Sequence, residues 1–228
     1  MPELLSPAEV SALLLSIKIA ITAAVVELPL AVFLAFILAR VRFFGNSFIN
    51  ILIHLPLILP PVVTGYFLLI LFGNNGPIGL ILAQYFGIIL AFRWTGAALA
   101  SAVMALPLMV RAIRLSIEAV DPTIENAART LGANRINVFC SITLPLSYPG
   151  IIAGFILGFA KALGEFGATI TFVSNIPSET QTLSAAIYTY TQSPGGDVPA
   201  LRLAALSVIV SIAALGFTEL LARHTRKA

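Results

Sequence analysis

The sequence predicts an all-α integral membrane protein with about five transmembrane helices per chain. Of the 228 residues, 59% are hydrophobic and only 10% are charged, and the mean hydropathy is +1.00. Soluble domains carry about 25% charged residues and a smaller apolar fraction. A helix that crosses a bilayer needs about 20 apolar residues. We therefore expect a single transmembrane domain, residues 1–228, in which short connections join the spans.

Five long apolar segments locate these spans. A soluble domain of this size could not bury five such helices. The third segment is expected to continue as a helix past Arg111 and Arg114, because these residues and Glu118 share one helical face. The expected spans are Val10–Ala39, Phe48–Phe72, Ala97–Val110, Tyr148–Phe172 and Leu203–Leu221.

Two remaining connections, Asn74–Arg93 and Ser174–Ala200, contain apolar stretches that are too short to span a membrane. Within the second of them, Leu183–Tyr190 predicts a short interfacial or re-entrant helix.

The distribution of basic residues predicts the topology. Nine of them fall on one side of the expected spans, and only Arg93 and Arg202 fall on the other. Since lysine and arginine are enriched in cytoplasmic loops, we expect an N-terminus outside, a C-terminus inside and a location in the cytoplasmic membrane. The nine are Arg40, Arg42, Arg111, Arg114, Arg129, Arg135, Arg223, Arg226 and Lys227.

Several function classes find no support in the sequence. The single Cys140 and the two histidines, His54 and His224, provide no metal-ligand set. No phosphate-binding G-x-x-x-x-G-K-[ST] loop and no nucleophile elbow is present. The basic residues do not form one patch that would indicate nucleic-acid binding. We therefore expect a transport subunit without a catalytic site, metal or cofactor of its own.

The segment from Asp121 to Pro145 combines a short helix with a distinctive pattern. Asp121 can cap a helix N-terminus, and Pro122 suits the first helical position. Glu125 in the first turn favours the positive end of the helix dipole, and Gly132 suits a left-handed C-terminal position. The ten helical residues predict a rod of about 15 Å, whose surface at Ala127 and Ala128 is small enough for close docking on another protein.

This segment resembles the cytoplasmic signature of ATP-binding-cassette import permeases. That signature reads Glu-Ala-Ala, three residues, glycine, nine residues, then Ile-x-Leu-Pro. The present chain matches its spacing throughout but has Asn126 in place of the glutamate, with Glu125 adjacent. The resemblance assigns ATPase coupling to segment 121–145, and specifically to Glu125, Asn126, Ala127, Ala128, Gly132, Ile142, Leu144 and Pro145.

Longer runs resemble the molybdate, tungstate and sulfate permease family within that group. They include HLPL at 54–57, PLMVRAIR at 107–114 and LGEFGATITFVSNIP at 163–177. The resemblance implies a type I importer permease fold and import of a tetrahedral oxyanion, molybdate first, with sulfate or tungstate as alternatives. It also implies a homodimer in the lipid bilayer, two cytoplasmic ATPase subunits that bind ATP and Mg, and an extracytoplasmic oxyanion-binding protein.

Charged and proline residues inside the spans are candidates for the translocation path. Lys161 and Glu165 lie one helical turn apart in the fourth span, where charge is costly and usually faces protein or a water-filled route. They can serve the path or form an ion pair that fixes helix packing. Pro60 and Pro61, with Pro56, predict a kink in the second span. The kink either shapes a gate or serves only the packing of this helix against its neighbours.

A secondary transporter or channel that works without ATP is the alternative from a different class. It would show inverted repeats, helices broken at matching positions and ionisable residues deep in several spans. The sequence contains no internal repeat, and Glu27 is the one further acid within a span. A membrane enzyme would need a convergent catalytic set, which the sequence does not provide.

Overall fold

The computed structural model describes residues 5–41 and 43–225, and the side chains of all of these except 215 and 217–225. Every regular element in these ranges is helical. The predicted topology also used Arg42, Arg226, Lys227 and the side chain of Arg223, which lie outside this description. The helices are α1 (Pro7–Arg40), α2 (Asn46–Ile58), α3 (Pro61–Phe72), α4 (Pro77–Phe86), α5 (Trp94–Glu118), α6 (Pro122–Thr130), α7 (Arg135–Val138), α8 (Leu144–Leu146), α9 (Tyr148–Leu163), α10 (Gly167–Val173), α11 (Leu183–Thr191) and α12 (Asp197–Thr225).

The first helix begins at a complete capping box. The Glu9 amide donates to the Ser6 hydroxyl (3.3 Å), and the Ser6 amide donates to the Glu9 carboxylate (2.6 Å). The helix then runs for 34 residues, about 51 Å at 1.5 Å per residue. A hydrocarbon layer of about 30 Å is shorter than that length, so α1 must either tilt or extend beyond it.

Three helices are long and apolar enough to cross a membrane, namely α1, α5 and the described part of α12, and two bent helix pairs raise the total to as many as five. The first pair, α2 and α3, corresponds to the predicted second span and bends by 113° at Leu59–Pro60. The predicted proline kink is therefore present at Pro60 and Pro61, whereas Pro56 lies inside α2 without ending it.

The predicted fourth span is not one continuous helix, and this expectation was wrong. It divides into α9 and α10 at residues 164–166. Glu165 supplies the reason, because its carboxylate accepts the Ala168 amide proton (3.1 Å) and so replaces a helical backbone bond at the start of α10. Ser174, with a φ of +65°, then ends α10.

The core of the bundle is α1, α5 and α9 packed side by side. Glycines at every fourth position of α9 allow this close approach, which is common where membrane helices meet. A Cβ at Gly150 would overlap the side chain of Ser116, and one at Gly154 would lie 2.8 Å from Ile113. Backbone contact across these helices thus depends on the absence of side chains.

A second close crossing joins α3 to α10. A Cβ on Gly65 would lie 2.5 Å from the carbonyl oxygen of Ala168 and 2.9 Å from the Cβ of Thr171. Because the obstruction is backbone, it cannot be relieved by rotating a side chain.

We expect Gly65→Ala to lower the stability of the membrane-inserted chain by about 1–3 kcal/mol, the usual range for overpacking. Thermal unfolding in detergent measures this as a lower midpoint. Gly164→Ala is the matched control, since the nearest atom to its Cβ would be 3.8 Å away. Equal midpoints for the two variants would contradict the crossing described above.

The short helix predicted at Leu183–Tyr190 is present as α11, and it connects the N-terminal and C-terminal helices. The Leu183 amide donates to the Ser16 hydroxyl of α1 (2.6 Å). Nearby, Arg202 of α12 pairs with the buried Glu9 of α1 (3.1 Å). These bonds hold one end of α1 against both α11 and α12.

Candidate coupling and translocation sites

The candidate coupling helix, α6, forms as its sequence predicts. The Thr123 amide donates to the Asp121 carboxylate (2.8 Å), which holds the pKa of this exposed carboxyl below its ordinary value. Pro122 is the first helical residue, and Gly132 has a φ of +92° beyond the C-terminus. The helix contains nine residues rather than the ten expected. Its outer surface exposes Asn126 and Ala127, and Ala128 is half-buried.

Glu125 faces inward, and the sequence did not predict this. Its side chain is 5% exposed, and its Oε1 accepts a proton from Arg40 Nε (3.1 Å) and from the Thr143 hydroxyl (2.8 Å). Arg40 also donates to the carbonyl of Val120 (2.8 Å). The carboxylate therefore joins the coupling helix to the end of α1 and to the segment that precedes α9, and it is not available in this conformation for a contact with another protein.

The second half of the signature forms an elbow. Residues Phe139–Thr143 make one π-helical turn, α8 follows, and residues 135–146 meet α9 at an angle of 69°. Pro145 lies within α8, where it lacks an amide proton to donate. Ile142 and Leu144 are half-buried on this elbow. The signature thus shapes the turn through which the coupling segment enters α9.

The four candidate path residues lie at two adjoining helix breaks or, for Lys161, in the helical turn before one of them. Pro60 and Pro61 occupy the break between α2 and α3, and Glu165 occupies the break between α9 and α10. A Cβ on Gly167 would lie 2.8 Å from the Cβ of Pro61. The fold therefore brings the proline break next to the break that carries the predicted ion pair.

The ion pair itself is present. Lys161 Nζ lies 2.5 Å from Glu165 Oε2, while Glu165 Oε1 accepts the Ala168 amide proton. Glu165 is 2% exposed and Lys161 is 28% exposed. One carboxylate consequently holds the cation on α9 and caps α10, and the Lys161 ammonium is the more exposed member of the pair.

Two further charged residues lie within α1. Lys18 Nζ lies 3.6 Å from the centre of the Trp94 ring in a cation–π contact. Glu27 is buried, and its carboxylate has no hydrogen-bond partner among the described residues. Its carboxylate lies beside Gly158 of α9, where a Cβ would come within 2.8 Å of Oε1.

Sequence reasoning missed Arg40 and Thr143 as functional candidates. Arg40 was used only as a topology signal, and Thr143 was an unassigned position between Ile142 and Leu144. The spacing of 85 residues between Arg40 and Glu125 contains no local signal that they meet. A basic residue at the end of a span and an acid in the coupling helix could have suggested the pair.

Comparison with known proteins identifies the family. The model of the binding-protein-dependent transport system inner membrane component family matches residues 28–227. The molybdenum transport system permease protein ModB of Haemophilus influenzae is 53% identical over 219 residues, 96% of this chain and 96% of that protein. The protein of the same name from Escherichia coli is 53% identical over 224 residues, 98% of each chain.

A solved structure supports the fold independently. The chain resembles a crystal structure of an amino acid ABC transporter with a TM-score of 0.67 at 22% identity, over 96% of this chain and 94% of that one. The two helix breaks are a pattern also expected of a secondary transporter, but the family match and the relatives favour a binding-protein-dependent system. The chain is a multi-pass inner-membrane protein with the type I importer permease fold, and it belongs to the binding-protein-dependent transport system inner membrane component family.

Proposed function

We propose that this chain is the permease subunit of an ATP-driven importer for a tetrahedral oxyanion, with molybdate as the substrate. The observation that carries the proposal is the full-length similarity to two molybdenum transport permeases. Sulfate and tungstate share the tetrahedral shape and double negative charge of molybdate, and they are the alternatives within the same site.

The proposed assembly contains two copies of the chain, two cytoplasmic ATPase subunits that bind ATP and Mg, and an external binding protein that delivers the anion. The N-terminus lies outside and the C-terminus in the cytoplasm. In this topology α6 and the elbow face the cytoplasm, where Asn126 and Ala127 are exposed for docking. The chain itself contributes no ATPase chemistry.

The contacts of Glu125 suggest how movement passes from the ATPase to the path. When the ATPase pair closes, it displaces α6. Because Glu125 bonds both Arg40 and Thr143, α1 and the elbow move with α6. The elbow continues into α9, which carries Lys161 at its other end. Differential contact of the closed and open ATPase with α6 supplies the free energy that shifts the permease between states.

The path is proposed to run along the dimer axis past the two adjoining helix breaks. Lys161 offers a partly exposed positive charge to the dianion, while Glu165 keeps that charge from binding the anion too tightly. Conduction requires an attraction that is weak enough for release. Pro60 and Pro61 set the bend beside it and form part of the gate.

Uptake by the reconstituted complex tests this function. The chain, its ATPase and the binding protein are placed in liposomes, and labelled molybdate, tungstate and sulfate are supplied separately. We expect ATP-dependent accumulation of molybdate, with excess unlabelled sulfate competing poorly. Accumulation without ATPase would favour the secondary transporter, and preferential accumulation of sulfate would reassign the substrate.

Lys161→Met is expected to lower molybdate uptake at least about tenfold. A unit charge about 10 Å from a dianion contributes about 3 kcal/mol at an effective dielectric constant of 20, so removing it raises the barrier. The double variant Lys161→Met/Glu165→Gln should regain thermal stability, because no unpaired carboxylate remains, but uptake should stay low. Recovery of uptake in the double variant would show that the pair serves packing alone.

A further inference from the structure

A cavity lies between the C-terminal half of α1, the coupling helix, the elbow and the start of α9. Its volume is about 980 Å³, at the upper end of the range for ligand sites. Phe33 and Phe36 of α1 line one wall, and Ile151 of α9 lines the opposite wall. These residues belong to α1 and α9 of the helical bundle, so this part of the cavity wall is apolar.

The mouth of the same cavity is basic. Arg129 in the last turn of α6 and Arg135 at the start of α7 both line it, and both are exposed. Glu125 is the single acidic residue of the lining, and it is paired with Arg40. Neither Arg129 nor Arg135 forms an ion pair with any residue that the structure describes. The mouth therefore presents two uncompensated positive charges.

The depth of the cavity matches one leaflet. Along α1, the lining extends from Arg40 back to Leu28, which is about 18 Å for twelve helical residues. Half of a hydrocarbon core of about 30 Å is close to that depth. An apolar slot of about one-leaflet length that ends at two guanidinium groups is complementary in charge and shape to a phospholipid with an anionic headgroup.

We propose that this cavity binds an anionic phospholipid of the inner leaflet, with its phosphate between Arg129 and Arg135 and an acyl chain between α1 and α9. The lipid bridges the coupling helix to the elbow from the side opposite the exposed Asn126 and Ala127 surface. This inference relies on the topology proposed above, in which α6 faces the cytoplasm.

The test compares lipid binding to the purified full-length chain in nanodiscs of phosphatidylcholine doped with phosphatidylglycerol that carries a photoreactive acyl chain. We expect cross-links to map to residues 28–36 of α1 and to the start of α9. Each arginine near a membrane surface contributes about fivefold in affinity, so Arg129→Gln/Arg135→Gln should lower the cross-linked fraction about 30-fold. The matched control is Arg93→Gln, an exposed arginine outside the lining.

Equal labelling by photoreactive phosphatidylcholine, or labelling that the double variant leaves unchanged, would overturn the proposal. The proposal would also be overturned if adding the ATPase abolished lipid labelling of the cavity residues and the cross-links appeared on an acidic segment of the ATPase instead. Cys140, the exposed single cysteine on the π turn, separates a failure of topology from a failure of lipid binding. A membrane-impermeant thiol reagent should label it in inside-out vesicles and not in right-side-out ones.

Discussion

Gly132→Val is expected to abolish ATP-driven uptake while the chain remains inserted in the membrane. Gly132 has a φ of +92°, and a Cβ there would meet no atom within 4 Å. The substitution therefore acts through the backbone, not through a clash. A β-branched residue resists this conformation at a cost of about 1–3 kcal/mol, and the chain relieves the strain by reorienting α6 relative to the elbow.

The measurement is molybdate uptake together with ATP hydrolysis by the reconstituted complex. We expect hydrolysis to persist while uptake falls at least about tenfold, which corresponds to a change of about 1.4 kcal/mol. Ala128→Arg should give the same result by a different route, because it adds a long cationic side chain to the half-buried edge of the proposed docking surface.

Gly195→Val provides the matched control for Gly132→Val. Gly195 also has a left-handed φ, +75°, and a Cβ there would also meet open space, but it lies in the connection between α11 and α12. It should lose similar stability and retain coupled uptake. Normal uptake by Gly132→Val, or equal losses in both variants, would contradict the coupling role.

Glu125→Ala should destabilise the chain by about 3–5 kcal/mol, because it leaves the largely buried Arg40 without its carboxylate. The side chains of Arg40 and Glu125 are only 16% and 5% exposed. The substitution also removes the bond to Thr143 and so separates α6 from the elbow. Thermal unfolding in detergent and the uptake assay together measure both effects.

Glu118→Ala is the control for that experiment. Its partner Arg114 is on the same helix, and the two side chains are 39% and 32% exposed. An exposed pair of this spacing contributes only about 0.3–0.5 kcal/mol. If the two glutamate variants lose the same stability, the buried network does not hold the coupling segment. The double variant Arg40→Met/Glu125→Met should recover part of the loss, since no unpaired charge stays buried.

Local features of the fold could be predicted from sequence. The cap at Asp121–Pro122, the left-handed Gly132 and the proline break at 60–61 depend on residues that are adjacent in the chain. The apolar segments likewise located the three long helices α1, α5 and α12, because hydrophobic length is a local property. The Lys161–Glu165 pair followed from its spacing of four residues on one helix.

Features that depend on tertiary packing could not be predicted. The inward orientation of Glu125 results from the approach of Arg40, 85 residues away, whereas helix-dipole reasoning accounted only for its position in the first turn of α6. The break at 164–166 was missed because its residues are apolar or already assigned to the ion pair, so hydropathy continues across it. The contact between Lys18 and Trp94 could not be predicted either, because it forms only when α1 packs on α5.

The exposed position of Cys140 on the π turn has a practical consequence. The chain contains no other cysteine, so a spin label attached to the natural sequence is confined to the elbow. In a two-fold assembly, the label on one copy and the label on the other define a single distance. Dipolar spectroscopy of that distance, recorded with and without nucleotide, would follow the elbow through the transport cycle without any engineered substitution.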